Sequence, residues 1–179
     1  MRVLLAVTGA SGMLYARRLV KALKNAKVDV KTVVSSGAAA VAKAEGEQLP
    51  RTDYDENDFS SPFASGSHKF DAMVVCPCSL KTLGEIANGV GNTLITRGAE
   101  VALKERRKLI LVVRETPLSL IAIKNMELVA LAGGVIMPAA PGFYGKPRTL
   151  DDLADFMAGK VLDQLGIENH LFKRWKEKE

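Results

Sequence analysis

Short stretches of this chain carry the residue types that do chemistry. The first is Thr8-Gly9-Ala10-Ser11-Gly12, which follows the apolar run Val3–Val7 and precedes a segment with helical spacing. Small residues there let the backbone approach a phosphate, and the free N–H groups of a helix start favour an anion. Ser11 adds a hydroxyl. The same glycines also suit a tight strand-to-helix turn that holds no ligand. The second stretch is Cys76-Pro77-Cys78-Ser79-Leu80-Lys81-Thr82. Ser79 is placed to cap a helix, and Lys81 puts a cation at that rim. The cysteines admit a redox pair, although one intervening residue is shorter than the usual redox spacing, or simply two buried thiols. The third is Arg114-Glu115-Thr116-Pro117, a charged pair after an apolar run, halted by proline. Arg97 and Lys104 lie in the helical stretch before it, and Lys160 lies farther along. A ring of Arg97, Lys104, Arg114 and Lys160 is a strong anion site if the fold gathers it.

Something must position these stretches. Val3–Val7, Val28–Val34, Ala72–Val75, Leu109–Val113 and Val135–Met137 are rich in Val, Ile and Leu. Short runs apolar on both faces suit strands of a parallel sheet covered on both sides. Between them, Ala16, Leu19, Val20 and Leu23 recur at helical spacing, as do Leu150, Leu153, Ala154, Met157 and Val161. Thr149 reads as the N-cap of the last helix, with Asp151 and Asp152 in its first turn. The alternation predicts an α/β fold, a three-layer α/β/α arrangement around a mostly parallel, doubly wound sheet. In such sheets ligands bind at the carboxyl ends of the strands, where all three stretches fall. Strand two ends in Ser35-Ser36-Gly37 rather than an acidic residue, which suits a phosphate or polyol better than a dinucleotide ribose. Residues 48–68 and 138–149 break the rhythm and read as long loops, the kind that carry function.

The chain has 179 residues, 47% hydrophobic and 25% charged, so it reads as one folded unit. No apolar run is long enough for a membrane span, and the first one is too short for a signal-peptide core. The net charge of +5 comes with only 6% aromatic residues and no basic stripe interleaved with them. That speaks against nucleic acid and fits an anionic small ligand. Two closely spaced cysteines with no framework of partners suit a reducing cytoplasm.

Five motifs occur together: Thr-Gly-Ala-Ser-Gly (8–12), Pro-Cys-Ser-Leu-Lys-Thr-Leu (77–83), Leu-Lys-Glu-Arg-Arg (103–107), Arg-Glu-Thr-Pro-Leu (114–118) and Pro-Gly-Phe-Tyr (141–144). In this order and spacing they resemble the UbiX-type flavin prenyltransferases, from residue 2 to about Trp175. The resemblance implies a single Rossmann-like flavoprotein domain over residues 1–179, and a homo-oligomer, commonly a dodecamer, with FMN at a subunit interface. It implies transfer of a dimethylallyl group from dimethylallyl phosphate to N5 and C6 of reduced FMN, without a metal. The product, prenylated FMN, is the cofactor of UbiD-type decarboxylases. Carried over by position, Gly9, Ala10, Ser11, Ser35, Cys78, Ser79, Leu80, Lys81 and Arg114 contact FMN. Tyr144, Lys160, Arg97, Lys104 and Arg114 hold the allylic phosphate, and Glu45 and Glu115 are the acid–base groups, with Ser11 near the flavin reaction centre. The chain departs from the family pattern at Ala122-Ile123, where His-Leu is usual, and at Lys160, where arginine is common. Two alternatives share the turn motifs: an FMN-dependent cysteine decarboxylase, which carries an early catalytic histidine, and a non-catalytic FMN-binding protein. The only histidines are His68 and His170.

Overall fold

The computed structural model describes residues 1–176; the last residues of the expected 1–179 domain lie outside them. The apolar runs become β1 (Arg2–Val7), β2 (Asp29–Val34), β3 (Ala72–Cys78), β4 (Lys108–Val113) and β5 (Val135–Pro138). The helices are α1 (Met13–Asn25), α2 (Ser36–Glu45), α3 (Leu80–Ala87), α4 (Leu94–Lys104), α5 (Leu120–Leu131) and α6 (Leu150–Leu165). The strands form one sheet in the order β2-β1-β3-β4-β5, with every neighbouring pair parallel. The sheet is thus wholly, not mostly, parallel.

Side chains alternate across it. Val3, Leu5, Val74 and Ile110 pack with α1 and α6. Leu4, Met73 and Leu111 pack with α3, α4 and α5. Each aliphatic side chain fully buried this way contributes about 1.5–3 kcal/mol. α2 lies at one end, with Ala38 and Ala42 against Val7, Met13 and Ala16. α6 begins as the sequence predicts: the Asp152 N–H donates to the Thr149 hydroxyl, and the Thr149 N–H donates back to the Asp152 carboxylate at 2.9 Å.

Two details differ from the sequence reading. β3 runs on to Cys78 instead of stopping at Val75, which makes both cysteines strand residues. The crossover from β3 to β4 holds two helices, because Asn88 and Gly89 (φ 68°) end α3 and Thr93 caps a new start at Leu94.

The 48–68 segment is tied down. The Asp53 N–H donates to the Thr32 carbonyl at 2.8 Å, and the Thr32 N–H donates to the Asp53 carboxylate at 2.9 Å. This pairing covers the open edge of β2. Arg107 donates to the Gly66 and His68 carbonyls, each at 2.7 Å, and lies over the Phe70 ring.

Candidate active site

The strand order reverses direction between β1 and β3, so their carboxyl ends open a crevice between them. Thr8 joins the two ends. Its buried hydroxyl donates to the Pro77 carbonyl at 2.9 Å and accepts from the Ser79 N–H at 2.9 Å. The first two candidate stretches are therefore one structure. Thr8→Val keeps the shape and strands the Ser79 N–H, at about 1–3 kcal/mol, while the Pro77 carbonyl still accepts from the backbone N–H of residue 8. We expect a lower midpoint in chemical denaturation and weaker flavin binding, with Thr8→Ser restoring both.

Clefts lie on either side of the β1 turn. One, of about 310 Å³, has Gly9, Ser35, Ser79, Lys81 and Thr82 in its wall, with Leu80 and the exposed Glu115 also lining it. Ser35 and Ser79 each cap a helix, accepting from the Ala38 and Thr82 N–H groups. Gly9 is needed for space: a Cβ there would stand 2.9 Å from the Gly37 carbonyl carbon. The second cleft, of about 340 Å³, is lined by Ser11, Gly12, Tyr15, Glu45, Leu150 and Leu153 among others.

Glu45 is the last residue of α2, yet it caps α1. The Gly12 N–H donates to one carboxylate oxygen at 2.8 Å and the Met13 N–H donates to the other at 3.0 Å. Gly12 offers no side chain for that task. Partial burial pushes the Glu45 carboxyl up. Hydrogen bonds from the Ser11 hydroxyl and the Met13 and Gly12 N–H groups, with the Arg114 charge, outweigh it and hold Glu45 below the usual glutamate value. It is an anion at neutral pH. Ser11 and Glu45 meet here, and Glu45 feels the charge of Arg114, which follows β4.

Tyr15 joins them and was not singled out from sequence. Its ring lies where a Gly12 Cβ would be, 2.7 Å from that position. Burial pushes its phenol up, the Cys76 thiol adds to this, and Arg114 partly offsets it. The available signal was its place on the first turn of α1, directly after the small-residue stretch.

The anion ring does not gather within one chain. Arg97 donates to the Ala64 carbonyl at 3.0 Å and pairs with Glu100 at 2.8 Å; Lys104 pairs with Glu105 at 2.5 Å. Lys160 pairs with Asp163 at 3.7 Å. Tyr144 packs edge-on against Phe156 and Trp175. The cause is the layering: Arg97 and Lys104 sit on α4, Lys160 on α6, and these helices cover opposite faces of the sheet. Of the set, Arg114 alone is felt as a charge at Glu45.

The cysteines are buried and unpaired. Burial pushes the Cys76 thiol up to about 12 and raises Cys78 as well, so both stay protonated and unreactive at neutral pH. That removes the redox reading. With its side chain buried, Cys78 offers a ligand only its backbone, and its carbonyl accepts from the Arg114 N–H at 3.2 Å. Among the described residues no group of acids, histidines and cysteines is arranged to hold a metal.

Comparison with known proteins agrees with this geometry. The flavoprotein family profile matches residues 1–162. The chain is 48% identical to the flavin prenyltransferase UbiX of Methanothermobacter thermautotrophicus, over 99% of this chain and 96% of that protein. Among solved structures it is similar to AnUbiX (PadA1) in complex with FMN and dimethylallyl pyrophosphate, with TM-score 0.94, 42% identity and 99% and 98% of the two chains covered. It is also similar to a dodecameric FMN-dependent UbiX-like decarboxylase from Escherichia coli O157:H7, with TM-score 0.92, 35% identity and 99% and 100% covered. A chain with this turn, these clefts and this likeness along nearly its whole length belongs to the UbiX flavin prenyltransferase family of flavoproteins.

Proposed function

We propose that this chain, one flavoprotein domain over residues 1–179, transfers a dimethylallyl group from dimethylallyl phosphate to N5 and C6 of reduced FMN. The observation that carries the reading is Glu45 held at the N-terminus of α1 by the Gly12 and Met13 N–H groups beside the β1 turn, with Ser11 next to it and the Arg114 charge acting on it. The residues fit FMN. The Gly9–Gly37 contact is too close for a Cβ, and the hydroxyls of Ser35, Ser79 and Thr82 suit a phosphate and a ribityl chain. The neighbouring cleft mixes Tyr15, Leu150 and Leu153 with Ser11 and Glu45, as a flavin ring and an apolar allyl group need.

When bound, reduced FMN supplies N5 and C6 as nucleophilic atoms. Arg114 stabilises the phosphate as its ester bond to the allyl carbon breaks and it takes the bonding electron pair. Fixing the allyl donor beside the flavin ring in one cleft removes most of the entropic cost of bringing them together. Alkylation would release the N5 proton, and closing the second bond would need one proton added to the allyl double bond and loss of the C6 proton, which Glu45, held ionised and oriented by Ser11, would accept. Glu115, at the rim of the phosphate cleft, is the second acid–base group. Arg97, Lys104, Tyr144 and Lys160 extend the phosphate cage when a second copy brings its own elements against the first.

A second copy also has a surface to cover. Leu120, Ile121 and Leu131 of α5 are 68%, 75% and 79% exposed. Large aliphatic residues on one exposed helix mark an association surface, so we read the chain as a homo-oligomer, and the likeness to a dodecameric UbiX-like protein favours a dodecamer. The product goes to a UbiD-type decarboxylase. We place the reaction in the cytoplasm, which suits two free thiols; no described helix is long and apolar enough to cross a membrane.

The cysteine-decarboxylase alternative needs a histidine at the flavin. His68 packs on Phe63 in the long loop and His170 is exposed beside Glu168, and neither lines either cleft. Anaerobic incubation with reduced FMN and dimethylallyl phosphate or diphosphate, followed by mass spectrometry of the released flavin, tests the proposal. A gain of one five-carbon unit is expected. Unmodified flavin with both donors overturns it, and flavin that binds without ever changing supports a carrier.

A further inference from the structure

The cleft that suits the flavin phosphate is oddly charged. It holds Glu56, Glu85 and Glu115 against a single lysine, Lys81. Lys81 stands 3.7 Å from Glu85 with an 81% exposed side chain, so it neutralises little of this. Glu115 is exposed at the rim. Glu56 is different. It comes from the 48–68 segment, and it is half-buried. One of its carboxylate oxygens accepts from the Ser36 N–H at 2.7 Å. Its backbone is fixed too, because the Leu94 N–H at the start of α4 donates to the Glu56 carbonyl at 2.7 Å. The carboxylate is therefore held against the Ser35-Ser36-Gly37 wall by a short charge-assisted bond.

We infer that Glu56 is an internal rival of the flavin phosphate: its carboxylate occupies a donor of the phosphate cleft, and this sets how tightly phosphorylated flavin is held. The inference rests on the proposed reaction. A prosthetic FMN profits from every available donor. A flavin that is modified and passed to another enzyme must leave. Glu56 weakens the hold in two ways. It takes the Ser36 N–H, which the phosphate would otherwise receive, and it places a negative charge beside a dianion in a partly desolvated cleft. Both effects require the phosphate, so riboflavin is blind to them.

The test is the affinity and dissociation rate of FMN and riboflavin, measured anaerobically by fluorescence and stopped flow, on wild type, Glu56→Gln and Glu56→Ala. Glutamine keeps an acceptor for the Ser36 N–H and loses the charge; alanine removes the rival altogether. For Glu56→Ala FMN should bind at least about tenfold tighter and leave correspondingly more slowly, the worth of one charge-assisted hydrogen bond, and for Glu56→Gln, which loses the charge alone, FMN should tighten by a smaller factor. Riboflavin should change less than about twofold, being without the phosphate. Equal tightening of both flavins would point to cleft packing and overturn the inference. Weaker FMN binding in the variants would make Glu56 a flavin ligand and overturn it too. If wild type bound neither flavin, the flavin reading itself would fall, which is a separate result.

Discussion

Glu45→Gln is expected to abolish formation of the prenylated flavin while leaving a folded, flavin-binding protein. Loss of a positioned proton acceptor costs about 10²- to 10⁴-fold in rate. The structural cost is smaller. Glutamine retains one oxygen for the Gly12 or Met13 N–H, so about one hydrogen bond is lost, near 1 kcal/mol. Wild-type Glu45 has its carboxyl held below the usual range in the folded state. Its contribution to stability is therefore fully present above the normal glutamate value and fades as the pH falls through the lowered one. In Glu45→Gln that part of the acid limb disappears. Denaturation midpoints between neutral and acid pH, read beside single-turnover product formation, separate the two roles. Unchanged turnover would remove Glu45 from the chemistry and leave it as a helix cap.

Gly9→Ala should be strongly damaging although it adds only a single methyl group. The new carbon meets backbone: 2.9 Å to the Gly37 carbonyl carbon, 3.1 Å to its oxygen and 3.2 Å to its Cα. No side chain can turn aside there. The β1 turn must back away from α2, at about 1–3 kcal/mol, the range for overpacking. For a chain of this size that lowers the melting temperature by roughly 2–4 °C per kcal/mol. Flavin affinity should fall by about a hundredfold or more, since a shift of a fraction of an ångström misaligns several donors at once, each worth about 1 kcal/mol. Gly37→Ala is the matching control. Its Cβ would find Gly9 Cα at 3.6 Å, an ordinary contact, so the folded state should keep its stability. Equal melting temperatures for Gly9→Ala and wild type would mean that the two turns slide past each other freely.

The strands were legible because β-branched and aliphatic runs buried on both faces have no other home in a chain of this composition. Thr149, Asp151 and Asp152 announced α6 for a similar reason, since each acts within one helical turn. What sequence missed depends on distance along the chain. Glu45 reaches the α1 N-terminus only because α2 has the length and direction to deliver it. Thr8 bonds to residues about seventy positions away, and no local pattern records that. The split between α3 and α4 was obscured because Val90 continues an apolar spacing across Gly89 and Gly91. The anion ring failed as a single-chain object because charge counting cannot tell which face of the sheet a helix covers.

That last feature reaches into genetics. If, as proposed, a second copy brings its cations to complete the phosphate cage, each finished catalytic centre is assembled from two inheritances. On that proposal a chain crippled at Glu45 and a chain crippled at Lys160 would carry lesions in different halves. Mixed in one particle, they would rebuild a share of intact centres, so two inactive alleles would complement where neither works alone.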